Sequence, residues 1–142
     1  MRRLLLVAAT ALALSILPLS AQSDDDARAM VRYITDSLVE GKTDVLTKFS
    51  ASQIELTLAD HTSVYTKAQA RYVTRAFLDQ HPLRDARVRE VNILGRQCTA
   101  RSRLIGTDRS EAWELFVRLR RTREGWELKE LRLIPVRARS RR

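Results

Sequence analysis

From Arg84 to Val136 apolar residues alternate with polar ones in four stretches separated by turns, and this alternation constrains the fold more than any other feature of the chain. Its clearest stretch is Glu111–Arg121, where Trp113, Leu115, Val117 and Leu119 alternate with Glu114, Phe116, Arg118 and Arg120. A period of two puts the first set on one face of a strand and the second on the other. Thr122–Gly125 then reads as a hairpin turn, and Trp126–Val136 as the last strand. Within that strand the apolar set changes parity between Leu128 and Leu131, which predicts a bulge near Lys129 or Glu130. Two earlier strands are expected, one around Val88, Val91 and Ile93 and one over Gln97–Ile105. The first needs an irregularity between Val88 and Val91 to keep its apolar residues on one face. Strands joined by hairpins make an antiparallel sheet, apolar on one face and charged on the other.

Upstream the period is helical. Ala27, Met30, Val31, Ile34 and Leu38 form one stripe, with Asp24–Asp26 expected to open the helix and Gly41 to stop it. A short second helix is expected over Thr43–Phe49. Ile54, Leu56 and Leu58 alternate as a strand, Asp60 and His61 read as a turn, and Ser63–Tyr65 as a brief extended piece. Thr66 is a natural N-cap for a third helix over Lys67–Gln80, whose buried stripe reads Ala70, Val73, Ala76 and Phe77. Pro82 ends that helix. The order α-α-β-β-α-β-β-β-β places the chain in the α+β class, its helices packed on one face of an antiparallel sheet.

The chain has 142 residues, enough for one domain. Its start reads as an address. Arg2 and Arg3 precede the apolar run Leu4–Leu17, and Pro18–Ala21 supplies a small-residue exit. That is the plan of a secretory signal peptide, and the run is shorter than the roughly 20 residues a membrane span needs. A cut after Ala21 divides the chain into a signal peptide (1–21), a domain (22–136) and a basic, disordered tail (137–142). The mature protein would be exported, to the bacterial periplasm or beyond, with no membrane span. Its single cysteine, Cys98, excludes an internal disulfide and a Cys-rich zinc module.

Loss of Arg2 and Arg3 lowers the formal charge from +9 to +7. The rest is uneven: residues 22–81 carry 7 basic and 9 acidic side chains, residues 82–142 carry 17 and 8. A basic half suggests an anionic partner, and the alternative is a solvated sheet face on which Arg and Glu support one another. Arg87, Arg89, Arg101, Arg103, Arg118, Arg120 and Arg132 are the candidates for an anionic-surface site, with Glu114, Glu127 and Glu130 among them. Basic patches usually meet nucleic acid, but export argues against that partner, and aromatic interleaving is thin.

Residues that carry chemistry are sparse. His61 and His81 lie 20 positions apart without supporting carboxylate spacing, so no metal set is read. The four glycines are isolated, so no phosphate loop and no cofactor are read. Cys98 alternates with Ala100, Ser102 and Leu104, as a small core residue would. Asp36 lies beside the first helix's apolar stripe and is expected in solvent.

The segments GKTDVLTKF (Gly41–Phe49), IELTL (Ile54–Leu58) and YTKAQA (Tyr65–Ala70) carry a family resemblance. With the helix ending at Phe77, Leu78, His81 and Pro82 and the closing hairpin, they make the chain similar to a family of secreted bacterial domains of unknown function. That family lies within the nuclear-transport-factor-2-like, or cystatin-like, superfamily. The resemblance implies a curled sheet wrapped on a long helix to form a cone, and it implies export, but no activity. Enzymes of the superfamily place an Asp, His or Tyr inside the cone. On that model Tyr33, Asp36, His61, Tyr65, Tyr72 and His81 are the acid–base candidates, without a recognisable constellation; Tyr33, Tyr65, Gln69, Tyr72 and Cys98 are the candidate pocket residues, although YTKAQA also makes sense as helix capping alone. The sequence therefore points to an exported, non-catalytic binding or scaffolding domain, with an anionic envelope component or a second copy as possible partners. Two alternatives stand beside it, an isomerase or hydratase using the cone and an anionic-surface binder using the arginines. No catalytic residue is assigned.

Overall fold

A computed structural model describes residues 19–108 and 110–137. The element order is α1 (Leu19–Val39), α2 (Val45–Phe49), β1 (Ser50–Leu58), β2 (His61–Thr66), α3 (Lys67–Gln80), β3 (Leu83–Leu94), β4 (Gln97–Gly106), β5 (Ala112–Thr122) and β6 (Gly125–Pro135). This is the order the periodicity predicts. The expected signal peptide up to residue 18 and the expected basic tail from residue 138 lie outside the described residues.

Local chemistry explains the helix ends. α1 closes on Gly41 at φ +71°, where Lys42 N–H donates to Ser37 C=O (2.8 Å) and Gly41 N–H to Leu38 C=O (3.0 Å). Glycine takes that left-handed conformation at no steric cost. α3 opens with a capping box: Gln69 N–H donates to Thr66 Oγ1, and Thr66 N–H donates to Gln69 Oε1. The start of α1 differs from expectation. It begins at Leu19, so Asp24–Asp26 lie beyond its first turn and the expected cut after Ala21 falls inside the helix.

All six strands form one open sheet in the order β2-β1-β6-β5-β4-β3. Every pair is antiparallel except β1 with β6, which is parallel and corrects the all-antiparallel expectation. The reason is burial. Parallel pairing sets Leu56 beside Leu131 and Leu58 beside Leu133, all on the helix-covered face. Both expected irregularities are present. Lys129 is the extra residue between the Leu119–Leu128 and Arg118–Glu130 pairs, and Arg89 is extra between Val88–Ser102 and Glu90–Arg101. Each bulge restores the inward parity of the apolar residues that follow.

The core lies between this face and the helices. Val31, Ile34 and Leu38 of α1 pack with Leu104, Leu115, Leu119, Leu128, Leu131 and Leu133, none more than 1% exposed. α1 crosses β3–β6 while α3 covers β1 and β2. The α3 stripe is rotated from its expected position. Ala70, Thr74 and Leu78 are buried, Val73 and Phe77 are half-buried and Ala76 is exposed. An alanine can face either way at little cost, whereas Leu78 is worth about 1.5–3 kcal/mol when buried, and it decides the rotation.

Candidate functional site

The pocket residues expected inside the cone do not come together. Tyr33 lies on the outside of α1, 48% exposed, its ring edge-on to Phe49 at 5.7 Å. Tyr72 is 77% exposed on the solvent side of α3, and Gln69 is spent on the capping box. Tyr65 is half-buried opposite Ile54 in the β1–β2 pair. Cys98 is fully buried beneath α1, and burial pushes its thiol up from the ordinary range, opposite to what a nucleophile needs. The physical reason differs by residue: the helix cap claims Gln69, the inward parity of β4 claims Cys98, and Tyr33 and Tyr72 fall on the solvent sides of their helices.

The histidines separate as well. His61 opens β2 in solvent, and Asp36 is exposed on α1. His81 caps α3 and is half-buried against Phe77 (4.7 Å between ring centroids) and Trp113 (5.1 Å). Its Nδ1 lies 3.4 Å from Glu111 Oε2. Glu111 is a partner that the sequence concealed, because the β4–β5 turn alone brings it back to the end of α3. A carboxylate oriented on an imidazole can serve proton transfer, but here the ring is packed in a three-ring cluster, Phe77 and Trp113 also meeting edge-on at 5.1 Å. Among the described residues, no group of three or more His, Cys, Asp or Glu is placed to hold a metal. No described helix is long and apolar enough to cross a membrane.

The polar chemistry is concentrated on the outer face of the sheet, opposite the helices. Register fixes its rows. One runs Thr57, Arg132, Phe116, Arg101, Glu90 from β1 to β3, and the next Glu55, Glu130, Arg118, Thr99, Asn92. Glu130 is only 5% exposed. It accepts from Arg118 Nε (3.1 Å) and is bridged by Arg132, whose guanidinium also lies over the Phe116 ring at 5.3 Å. Arg101 Nε is 3.9 Å from Glu114 and stands opposite Glu90, while Arg120 stands opposite Glu127.

So the seven arginines share one face, but five of them face a carboxylate: Arg101, Arg118, Arg120 and Arg132, and Arg103, which stands opposite Glu114 in the β4–β5 pair without an ion pair to it. This is the Arg–Glu arrangement that the sequence held open beside an anionic-surface site. The sequence could not show it, because which Glu meets which Arg depends on register. What remains is a corner. Arg87 and Arg103 are directly opposed across β3 and β4, and the bulge adds Arg89 beside them. Among the described residues, no carboxylate lies within 4 Å of these three. A recess of about 220 Å³ opens here, lined by Arg89, Arg101 and Arg103 with Glu90 and Glu114 at its sides.

Comparison with known proteins agrees with this architecture. A protein of Bacteroides ovatus from the DUF4783 family superposes with a TM-score of 0.67 at 11% identity, covering 74% of this chain and 94% of its own. A Nostoc punctiforme domain of unknown function with a cystatin-like fold gives 0.67 at 12% identity, covering 83% and 80%. An NTF2-like protein of unknown function from Shewanella baltica gives 0.63 at 10% identity, covering 83% and 97%. At such identities the likeness shows the fold, which is cystatin-like and NTF2-like. No curated protein matches the chain. The model of the domain of unknown function DUF4783 matches residues 31–133, from within α1 to within β6, and the chain belongs to that family.

Proposed function

We propose that this protein is an exported, non-catalytic binding domain that takes up an anionic partner at the Arg87–Arg89–Arg103 corner of its outer sheet face. One observation carries the reading: Arg87 and Arg103 form a cross-strand pair of like charge, and Glu114, opposite Arg103 on β5, makes no ion pair with it. Directly opposed like charges destabilise a sheet, and a carboxylate or phosphate held between them reverses the sign. Planar guanidinium groups suit such bidentate contacts better than ammonium groups do. The face beyond the corner serves structure, through its Arg–Glu pairs. The partner chemistry is an anionic group of an envelope component, a lipid headgroup or an acidic polysaccharide.

The test uses the mature protein from Gln22 onward with two probes, phosphatidylglycerol vesicles and an acidic polysaccharide. Binding should be present at low salt and fall as salt rises, because exposed charges are screened within about 8 Å at physiological ionic strength. Arg87→Glu with Arg103→Glu should weaken binding about tenfold or more. Truncation after Val136 should leave most of it. Unchanged binding by the double reversal would defeat the proposal, as would loss of all binding on tail truncation alone.

Export is part of the same proposal. Mass spectrometry of protein from the native envelope should find an N-terminus near Gln22, and an intact Met1 in the mature pool would contradict it. The cut leaves Ser23 in place, whose carbonyl accepts from Trp126 Nε1 at 2.8 Å. The helix start is thereby tied to the sheet after the leader is gone.

A further inference from the structure

The open sheet has two edges, β2 and β3, and they are built differently. β3 carries Arg84, Asp85, Arg87, Arg89 and Glu90 and is interrupted by register shifts at Arg84 and Arg89. Charges and bulges are the common means by which an edge avoids pairing with another chain. β2 has neither. Its residues, HTSVYT, include no Lys, Arg, Asp, Glu or Pro, and they pair with β1 without a shift. Among the described residues no strand pairs with its other side, and Val64 is 60% exposed there.

The free backbone groups of this edge can be identified. Ala59 N–H donates to Leu133 C=O (2.8 Å), so the odd-numbered residues of β1 turn their amides toward β6 and the even-numbered ones toward β2. Leu58–His61, Leu56–Ser63 and Ile54–Tyr65 are therefore the hydrogen-bonded pairs. The Thr57–Thr62 hydroxyl contact at 2.9 Å belongs to the alternate, closer kind of pair. Thr62, Val64 and Thr66 then point their amides outward. The N–H of Thr66 is taken by Gln69 in the capping box, which leaves the N–H and C=O of Thr62 and Val64.

We propose that β2 pairs antiparallel with β2 of a second copy of this chain, Thr62 of one copy opposite Val64 of the other. The two Ser63 residues then meet across the two-fold axis. This register closes every N–H and C=O of Thr62 and Val64 at once. Charge selects the partner and the direction. The uncharged strand is bracketed by exposed Asp60 and exposed Lys67. In the antiparallel register Asp60 stands opposite Thr66 of the other copy, one residue from its Lys67, and the two-fold axis repeats the match. Parallel pairing would instead bring like charges together. The flanking helix does not oppose the approach. Arg71 is drawn toward α2, where it bridges Asp44 at 2.7 Å, and helical spacing puts Gln69, Ala76 and Gln80 on the other flank.

Sedimentation of the mature protein over a concentration series should show a monomer–dimer equilibrium. Ser63→Cys should form an intermolecular disulfide on oxidation, because a non-hydrogen-bonded pair sets its Cα atoms about 4.5 Å apart, within disulfide reach. Cys98 is buried and should not compete. Val64→Pro removes an outward N–H at an edge, where proline is tolerated, and should shift the protein to monomer with its circular dichroism unchanged. Asp60→Lys should weaken the dimer about tenfold, and adding Lys67→Asp should restore it. The second pair keeps the test decisive if the proline variant does not fold. A wild-type monomer at about 1 mM would overturn the proposal, as would a dimer indifferent to the charge swap or a Ser63→Cys variant that does not cross-link. Capture of another protein's extended segment by a monomeric chain would overturn it too. Arg87→Glu with Arg103→Glu lies at the far edge and should leave the dimer intact, which separates this inference from the anion-binding proposal.

Discussion

Replacing Trp126 with alanine is expected to lower the unfolding free energy of the domain from Gln22 onward by about 3–5 kcal/mol. The indole is 6% exposed and is the first inward residue of β6. Its Nε1–H donates to Ser23 C=O, joining two residues 103 positions apart. Truncation removes the apolar burial, leaves a hole at the end of the sheet and frees the first described turns of α1. Trp126→Phe should retain most of the ring packing and lose chiefly the hydrogen bond, about 1 kcal/mol. Urea denaturation with midpoint and slope determined separately is the measurement. A loss under about 1 kcal/mol for the alanine variant would show that this tether contributes little to stability.

Glu130→Ala should cost about 2–3 kcal/mol, the second largest effect expected. Removing one member of a buried ion pair typically costs about 3–5 kcal/mol, because its partner is left uncompensated. Here that figure is discounted, since the side chains of Arg118 and Arg132 are 31% and 43% exposed and can regain water. Glu130→Gln keeps the shape and one acceptor oxygen and should lose less. A double-mutant cycle with Arg118→Ala isolates the pair. Additive losses in that cycle would mean that the outer face is held by packing of Arg132 on Phe116 rather than by charge.

Glu130 also shows where sequence reasoning stops. Its side of the strand was legible, because the bulge at Lys129 follows from the parity change between Leu128 and Leu131. Its burial was not. Burial comes from Arg118 on the neighbouring strand and from Arg132 two residues on, and a strand's neighbours are set by register. The same holds for Glu90 opposite Arg101 and for Glu111 beside His81. Of the two faces that the charge counts allowed, register decided how much is Arg–Glu pairing, and it left Arg87, Arg89 and Arg103 without an ion pair among the described residues.

Element order, the Thr66–Gln69 cap, the Gly41 stop and both bulges were written in the chain, because each depends on residues within one turn or one alternation of each other. Interactions of that range are decided by backbone sterics and local hydrogen bonds, whatever the rest of the molecule does. The parallel docking of β1 on β6, the rotation of α3 onto Thr74 and Leu78, and the scattering of Tyr33, Tyr65, Gln69, Tyr72 and Cys98 were decided only in three dimensions. There the competing arrangements share the same local pattern and differ in how much apolar surface they bury together. That difference is a property of the assembled core, which no single segment carries.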